Sequence, residues 1–385
     1  MAHKLSPILK YPGGKERELK YIIPCLPANI HNYYEPFVGG GAVFFALNAN
    51  RHFINDKSTD LIGLYTAIKE QDPAFFNTLI AINNAWKILS EIADQHMSVL
   101  LDIYSMHEST LPDAISHFIN DHTNVFIELL QPKNDHITDN FIYELNRSIK
   151  SKMIRMKMLE AKKNPLPHED KQANIEGSIK AAFYYHMRYL LNNRASLNLS
   201  DSNFAAIYLF IRQTCYSSMF RYNGKGEFNV PYGGISYNSN NFDKKLSYYR
   251  NPELIHHLNN SVLHNLDFYD FMTQNQPNPN DFVFVDPPYD SDFSTYDQNS
   301  FVCHDQERLA NYLINECPAN FMLVIKNTDF IAHLYTNGTN TANGNQLHIH
   351  AFDKHYFVSF MDRNQKDTEH LLITNYEVDW KGGEE

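Results

Sequence analysis

VFVDPPYD, residues 283–290, sets an acid directly behind a run of apolar residues. Asp281-Phe282-Val283-Phe284-Val285 is short and rich in β-branched and aromatic side chains. That is the pattern of a strand buried on both faces in a parallel sheet. Asp286 follows, with Pro287, Pro288 and Tyr289 behind it. Proline has no amide hydrogen to give a ladder, so the strand must stop here. The chain therefore presents a carboxylate and a phenol at the carboxyl end of a buried strand. In open α/β sheets this is where ligand sites form.

The sequence on either side extends the α/β reading. Asn32-Tyr33-Tyr34-Glu35-Pro36-Phe37-Val38 is a candidate strand that runs into Gly39-Gly40-Gly41. Ala42–Leu47 reads as the start of a helix packed on the sheet. Arg51–Asp56 reads as a second strand ending in an acid, and Ser58 can cap a helix over about 59–70. From about 81 to 215 helical patterns dominate, at 86–105, 111–130, 138–163, 176–193 and 203–215. They break at Leu111-Pro112-Asp113, Gln131-Pro132-Lys133-Asn134 and Asn164-Pro165-Leu166-Pro167. Strands return over 219–231, a helix near 242–259, and strands again at 261–263, 281–285, 321–325, 347–352 and 370–376. One sheet interrupted by a long insertion accounts for this order. The expectation is an α/β fold with a Rossmann-like sheet and helices on both faces, from 1–80 and 260–385. An inserted helix-rich domain over 81–259 is expected to carry a β-hairpin.

Composition bounds the function. The 385 residues are 43% hydrophobic and 20% charged, and no apolar run approaches the ~18 residues of a membrane span. MAHKLSPILKYPGGK has no apolar signal-peptide core, which points to the cytoplasm. Cys25, Cys215, Cys303 and Cys317 show no CxxC spacing, and the 19 histidines are scattered, so neither a disulfide framework nor a metal site is expected. The net charge of −11 argues weakly against a nucleic-acid partner, but basic residues cluster locally. Residues 1–20 hold five Lys/Arg against two Glu, 221–250 hold five against two acids, and 150–163 hold six against Glu160. Aromatic residues make up 14%, and rings beside basic clusters suit base stacking as well as ordinary core packing.

Several short motifs carry chemistry. In EPFVGGG (35–41) three glycines after a strand let backbone approach a ligand, although a merely tight turn reads the same way. The run is neither GxGxxG nor a P-loop. Asp56 ends its strand where an acid can take ribose hydroxyls, or it caps the next helix. Asp267 in HNLDFYDF could receive an adenine amino group or cap a helix. KYPGGK (10–15) sets two lysines around a turn. VDPPY is the specific element. An exocyclic amine conjugated to a base is a poor nucleophile until its lone pair leaves the ring plane. Two acceptors pulling on its two N–H groups favour that change. Asp286 can supply one and the Pro287 carbonyl the other, with Tyr289 stacking on the base.

KYPGGK, EPFVGGG, IND, VDPPY and RYNGKGEFNVPYGG occur together and in order. This set resembles the Dam-like DNA adenine-N6 methyltransferases over about 1–80 and 180–376. The resemblance implies a class I methyltransferase sheet, S-adenosylmethionine as cofactor and double-stranded DNA as partner. It places Tyr11, Lys15, Glu35, Phe37, Gly39 and Gly41 at the cofactor, with Asp56 on its ribose and Asp267 on its adenine. Asp286, Pro287 and Tyr289 would hold the target adenine, Asp286 lying near both ligands. Phe301…Asp305…Leu309-Ala310, IKNTDF (325–330) and EHLLITNY (369–376) resemble later parts of the family pattern.

CYSSMFRYNGKGEFNVPYGG (215–234) resembles the family's recognition hairpin. Physically it suits a β-ribbon in a major groove, turning at Asn223-Gly224-Lys225-Gly226. Arg221 could take guanine O6/N7 or a phosphate, while Tyr216, Met219, Asn223 and Pro231 are further DNA-contact candidates. By resemblance Lys10 also reads a base. The match to members that modify GATC, or sites containing GAT, is close, except that Ser217 and Ser218 stand where those members often carry Asn-Gly. An adenine inside a duplex must be flipped out to be reached. Residues 82–178 exceed the family's usual short helical link, and the basic helix near 150–163 reads as a solvated face or a phosphate contact. The leading expectation is a site-specific adenine-N6 methyltransferase, with a cognate restriction endonuclease as a further partner. The rivals are an amino-methyltransferase on cytosine N4, RNA or protein amide, and a silent DNA-binding regulator.

Overall fold

The computed structural model describes residues 5–11, 13–130, 135–289, 295–296, 299–355 and 367–380. Pro12 of KYPGGK, Asp290 and the break at 131–134 lie outside them. Along the chain, α1 (Leu19–Ile22) precedes β1 (Asn32–Glu35), β2 (Arg51–Asn55) and α2 (Thr59–Lys69). Helices follow: α3 (Pro73–Gln95), α4 (Met97–Ser105), α5 (Leu111–Asp121), α6 (Thr123–Ile127), α7 (Asp135–Lys162), α8 (His168–Asn192), α9 (Asp201–Thr214), α10 (Asp243–Tyr249) and α11 (Pro252–Asn259). Then come β3 (Ser261–His264), α12 (Phe268–Asn275), β4 (Phe282–Val285), a short ribbon of β5 (Thr295–Tyr296) and β6 (Asn299–Ser300), and α13 (Cys303–Asn315). The last elements are β7 (Asn320–Lys326), α14 (Asp329–Leu334), β8 (His348–His355) and β9 (Asp367–Thr374).

Residues 1–69 with 252–385 form one compact unit and 70–251 a second. The first is built on a seven-stranded sheet in the order β3-β2-β1-β4-β7-β9-β8. Strands β1, β2, β3, β4 and β7 are parallel, and β9 joins β7 and β8 antiparallel. This is the expected α/β sheet flanked by helices. The run at β4 is buried throughout, as both faces are covered. Val283 and Val285 join a core with Phe271 of α12, Leu309 and Leu313 of α13, and Phe321 and Leu323 of β7. Phe282 meets the Tyr33 ring at 6.2 Å. Successive strands run one way from β1 through β2 to β3 and the other way from β4 to β7. The reversal falls between β1 and β4, where a crevice opens at the carboxyl ends of the strands.

The second unit packs α3 against α8 and α9, with the rings of Trp86, Phe183 and Phe210 meeting between them. Helix α3 starts well before the expected residue 86. Asp72 accepts hydrogen bonds from Ala74 N at 2.7 Å and Phe75 N at 3.3 Å, and Pro73 stands in the first turn. A cap of this kind contributes about 1 kcal/mol. The expected helix over 242–259 is two helices, because Pro252 cannot donate to a preceding carbonyl. The expected helix after the three glycines is a single 3₁₀ turn, Phe44–Ala46. The segment 219–231 forms no regular strand. It pairs through one isolated antiparallel bridge, Tyr222 with Phe228, and a second, Cys215 with Tyr232, lies just outside it. Among the described residues no helix is long and apolar enough to cross a membrane.

Candidate active site

Four neighbouring strands of the sheet end in or beside a carboxylate. In spatial order these are Asp267 beyond β3, Asp56 beyond β2, Glu35 closing β1 and Asp286 beyond β4. With strands ~4.8 Å apart the row spans roughly 14 Å. Tyr11, Lys15, Glu35, Phe37, Gly39, Gly41, Asp56, Asp267, Asp286, Pro287 and Tyr289 all line one cleft. The fold thus brings together every expected cofactor and catalytic residue.

The carboxylates differ in their surroundings. Glu35 is buried and accepts a hydrogen bond from Tyr33 Oη at 2.8 Å. Burial pushes its carboxyl well above the ordinary range, against the pull of Tyr33, and the negative charges of Asp286 and Asp56 add to the rise. Asp56 accepts from Gly39 N–H at 3.1 Å and Ser58 N–H at 2.9 Å, so it ties the glycine turn to the start of α2. Asp267 caps α12 through Tyr269 N–H at 3.0 Å and pairs with Arg308 Nη2 at 2.8 Å. Asp267 is thus the cap of α12 and also lines the cleft.

Asp286 pairs with Lys15 Nζ, and Lys15 is only 2% exposed. The same ammonium donates to Gly13 O at 3.1 Å and to Tyr289 Oη at 3.3 Å. His370 Nε2 lies 3.2 Å from that phenol, on β9. Gln306 of α13, fully buried, donates to Pro288 O at 2.8 Å and fixes the diproline turn from behind. Asn55 stitches two strand ends together: its amide donates to Pro36 O and Leu266 O, both at 3.0 Å. Phe37 packs against Phe268 at 5.6 Å and edge-on against Phe301 at 5.5 Å, and Phe268 meets Phe301 at 5.8 Å, so the three rings form one aromatic cluster in the cleft wall.

The glycines are needed for space as well as for backbone shape. Gly41 has φ +80°, and a Cβ there would lie 2.6 Å from Tyr65 Oη and 2.8 Å from the Phe45 ring. A Cβ on Gly40 would lie 2.8 Å from Leu9 O, a backbone atom. We expect Gly41→Ala to lower stability by about 2 kcal/mol. Thermal unfolding would show it, and an unchanged Tm would contradict this account of the turn.

The family model of the D12 class N6 adenine-specific DNA methyltransferases matches residues 11–158 and 119–348. The chain belongs to this family. It is an adenine-specific DNA methyltransferase. It is 26% identical over 377 residues to the type II methyltransferase M.CviBI of Paramecium bursaria Chlorella virus NC1A, covering 97% of this chain and 100% of that one. It is 26% identical over 356 residues to the type II methyltransferase M.MjaIII of Methanocaldococcus jannaschii, covering 86% and 88%. To a DNA adenine methylase of Salmonella typhi it is 22% identical over 331 residues, covering 83% and 80%. The near-complete match to the virus protein leaves that relative long enough to hold a block the size of 82–178.

In this methyltransferase the expected DNA-reading residues are divided between the units. Exposed Lys10 belongs to the first; Tyr216, Met219, Arg221, Asn223 and Pro231 belong to the second. Tyr216 is 43% exposed. Arg221 is also exposed, with Nε donating to Asn229 Oδ1 at 2.8 Å and Nη2 to Asn229 O at 3.0 Å. Asn223 is committed to the turn: Oδ1 accepts from Lys225 N and Glu227 N, and Nδ2 donates to Glu227. No group of three or more His, Cys, Asp or Glu is placed to hold a metal among the described residues. Arg308, Gln306 and His370 were not picked out from the sequence. Each acts on a motif residue from a distant element, and no local pattern marks such a partner.

Proposed function

We propose that this enzyme moves the methyl group of S-adenosylmethionine to N6 of an adenine flipped out of duplex DNA, at GATC or a site containing GAT. The observation that carries the reading is the row of four carboxylates in one cleft with the aromatic cluster of Phe37, Phe268 and Phe301. The cleft chemistry fits the cofactor. Asp56 offers acceptors for ribose hydroxyls, the aromatic wall offers apolar ring surface to a purine, and buried Glu35 offers an acceptor oxygen to an α-amino group. When bound, S-adenosylmethionine would supply an electrophilic methyl on a sulfonium to the N6 lone pair, and N6 would give its extra proton to water.

The chain's own part is orientation. Asp286 and the Pro287 carbonyl draw on the two amine hydrogens, and Tyr289 gives the base a stacking face. Lys15 and His370 hold the Tyr289 phenol, while Gln306 holds the turn. Asp286 has no need to take the proton, because the N6 proton becomes acidic once the methyl is in place.

Glu35 gives the reading a pH signature. Its folded pKa lies above the ordinary value of 4.5. Between those two pKa values the unfolded chain binds fewer protons than the folded one, so stability falls as pH rises through that window. We expect Glu35→Gln to flatten this part of the stability profile and to weaken S-adenosylmethionine binding by about tenfold. Calorimetry across pH and titration of the cofactor measure the two effects; an unchanged slope would remove Glu35 from this role.

The names of two relatives carry a type II setting, and we infer that a restriction endonuclease of the same site accompanies this enzyme. Expression in cells lacking adenine methylation, followed by methylation-sensitive sequencing, tests base and site together. Methyl label on cytosine, RNA or protein would replace the acceptor; adenine label away from GAT would replace only the site.

A further inference from the structure

We propose that Arg212, on the last turn of α9, is a positioning residue that sets which sequence the methyltransferase reads, by holding a four-residue bulge in the hairpin. The proposal rests on the reading of 215–234 as the element that meets DNA. Two backbone bonds bracket the bulge: Tyr216 N to Pro231 O at 2.9 Å and Asn229 N to Arg221 O at 3.0 Å. Between them residues 217–220 lie on one side and Val230 alone on the other. An excursion of this size breaks the ladder and leaves carbonyls on both sides to be satisfied.

The helices beneath satisfy them. Val230 O accepts from Tyr184 Oη at 2.8 Å and from Arg188 Nη1 at 3.0 Å, both on α8. On the bulged side Arg212 Nη1 donates to Met219 O at 2.6 Å and Nη2 to Ser218 O at 2.7 Å. Its guanidinium lies 3.5 Å from the centre of the Phe220 ring. Arg212 is 1% exposed, a place where a charged side chain is costly unless its donors are used. Here Nη1 and Nη2 are used on loop backbone, and Nε is left without a partner among the described residues.

The loop backbone is itself strained. Ser217 and Ser218 both have φ 52°, in the left-handed region that L-residues with a Cβ avoid. Two such residues in succession need an outside hold, and the fork of Arg212 supplies it at the carbonyls immediately following. With those carbonyls turned inward, Tyr216 is left exposed and Arg221 emerges from the far end of the bulge. The aim of both side chains therefore depends on a residue that touches no DNA. A lysine could not replace it, because a single ammonium lacks the planar fork and the stacking face.

The test uses the full-length enzyme, duplex oligonucleotides carrying the site found by sequencing, and duplexes with one base pair changed. For Arg212→Lys we expect discrimination between the two, measured as the ratio of kcat/KM values, to fall by about tenfold. We expect kcat at saturating DNA to stay within about threefold, because the cleft residues are untouched. Adding Ser218→Gly, which removes the left-handed penalty, should restore part of the lost discrimination. If Arg212→Lys does not fold, Phe220→Leu removes the stacking face and should give the same tenfold fall. Wild-type discrimination in the folded variant, or loss of kcat in step with discrimination and no rescue by Ser218→Gly, overturns the proposal. If the wild-type enzyme modifies no DNA, the functional reading falls and takes this proposal with it. If the wild type modifies its site and the variant discriminates equally well, only the role of Arg212 falls.

Discussion

Asp286→Ala is expected to lower methyl transfer by about 10³-fold, with cofactor and DNA affinity changed only a few-fold. The carboxylate stands at the carboxyl end of β4, in the crevice beside β1, and its direction is fixed twice. Lys15 pairs with it, and Gln306 holds the Pro288 carbonyl so that the diproline turn cannot swing. An acceptor so placed acts on the amine in the transition state more than in the ground state, which is why the loss should appear in kcat. The substitution also strands the Lys15 ammonium in a 2% exposed position, so stability falls as well. Lys15→Met combined with Asp286→Ala should recover that stability without recovering turnover. Asp286→Asn keeps one acceptor oxygen but turns an NH₂ toward its partners, so an intermediate loss is expected. Single-turnover transfer of labelled methyl groups reads all three variants, and Asp286→Ala retaining more than a tenth of wild-type rate would exclude the amine-holding role.

The residues of the cleft were legible because strand ends advertise themselves. An apolar run that stops at Asp-Pro-Pro, or at three glycines, or at Asn-Asp, marks the carboxyl edge of a buried sheet before any pairing is known. What the sequence could not carry was which edge residues become neighbours. Asp267 and Arg308 are separated by a helix, a strand and the short β5–β6 ribbon, and His370 reaches Tyr289 only because β9 inserts between β7 and β8. Ala42–Leu47 has the apolar content of a helix, yet after Gly41 at φ +80° the chain makes only one 3₁₀ turn. In the second unit Asp72-Pro73 marks the start of α3, upstream of the stretch where apolar periodicity is strongest. The hairpin failed differently. Alternation over 219–231 suggests two even strands, whereas two left-handed serines and a buried arginine impose a bulge that no local propensity favours.

Arg221→Ala should cost at least tenfold in kcat/KM at the enzyme's own site and relax the requirement for one base pair there. The argument starts from how the side chain is held. Asn229 takes Nε through its side-chain oxygen and Nη2 through its backbone carbonyl, so one edge of the guanidinium is fixed before DNA arrives. Less rotamer freedom then remains to be lost on binding, and the group is aimed rather than merely charged. An aimed, planar donor pair fits guanine O6 and N7; a point charge fits any phosphate equally well. The two roles separate cleanly in measurement. If Arg221 reads a base, Arg221→Lys should lose most of the discrimination while keeping the salt dependence of DNA binding, and Asn229→Ala should lose part of it by freeing the anchored edge. If Arg221 serves a phosphate, Arg221→Ala should weaken binding to all duplexes alike and reduce the salt slope by about one, while Arg221→Lys should be nearly silent. Sequencing of methylated products from the three variants, together with binding at two salt concentrations, decides between them. Uniform loss across all sites in Arg221→Ala would move this residue from base reading to backbone contact.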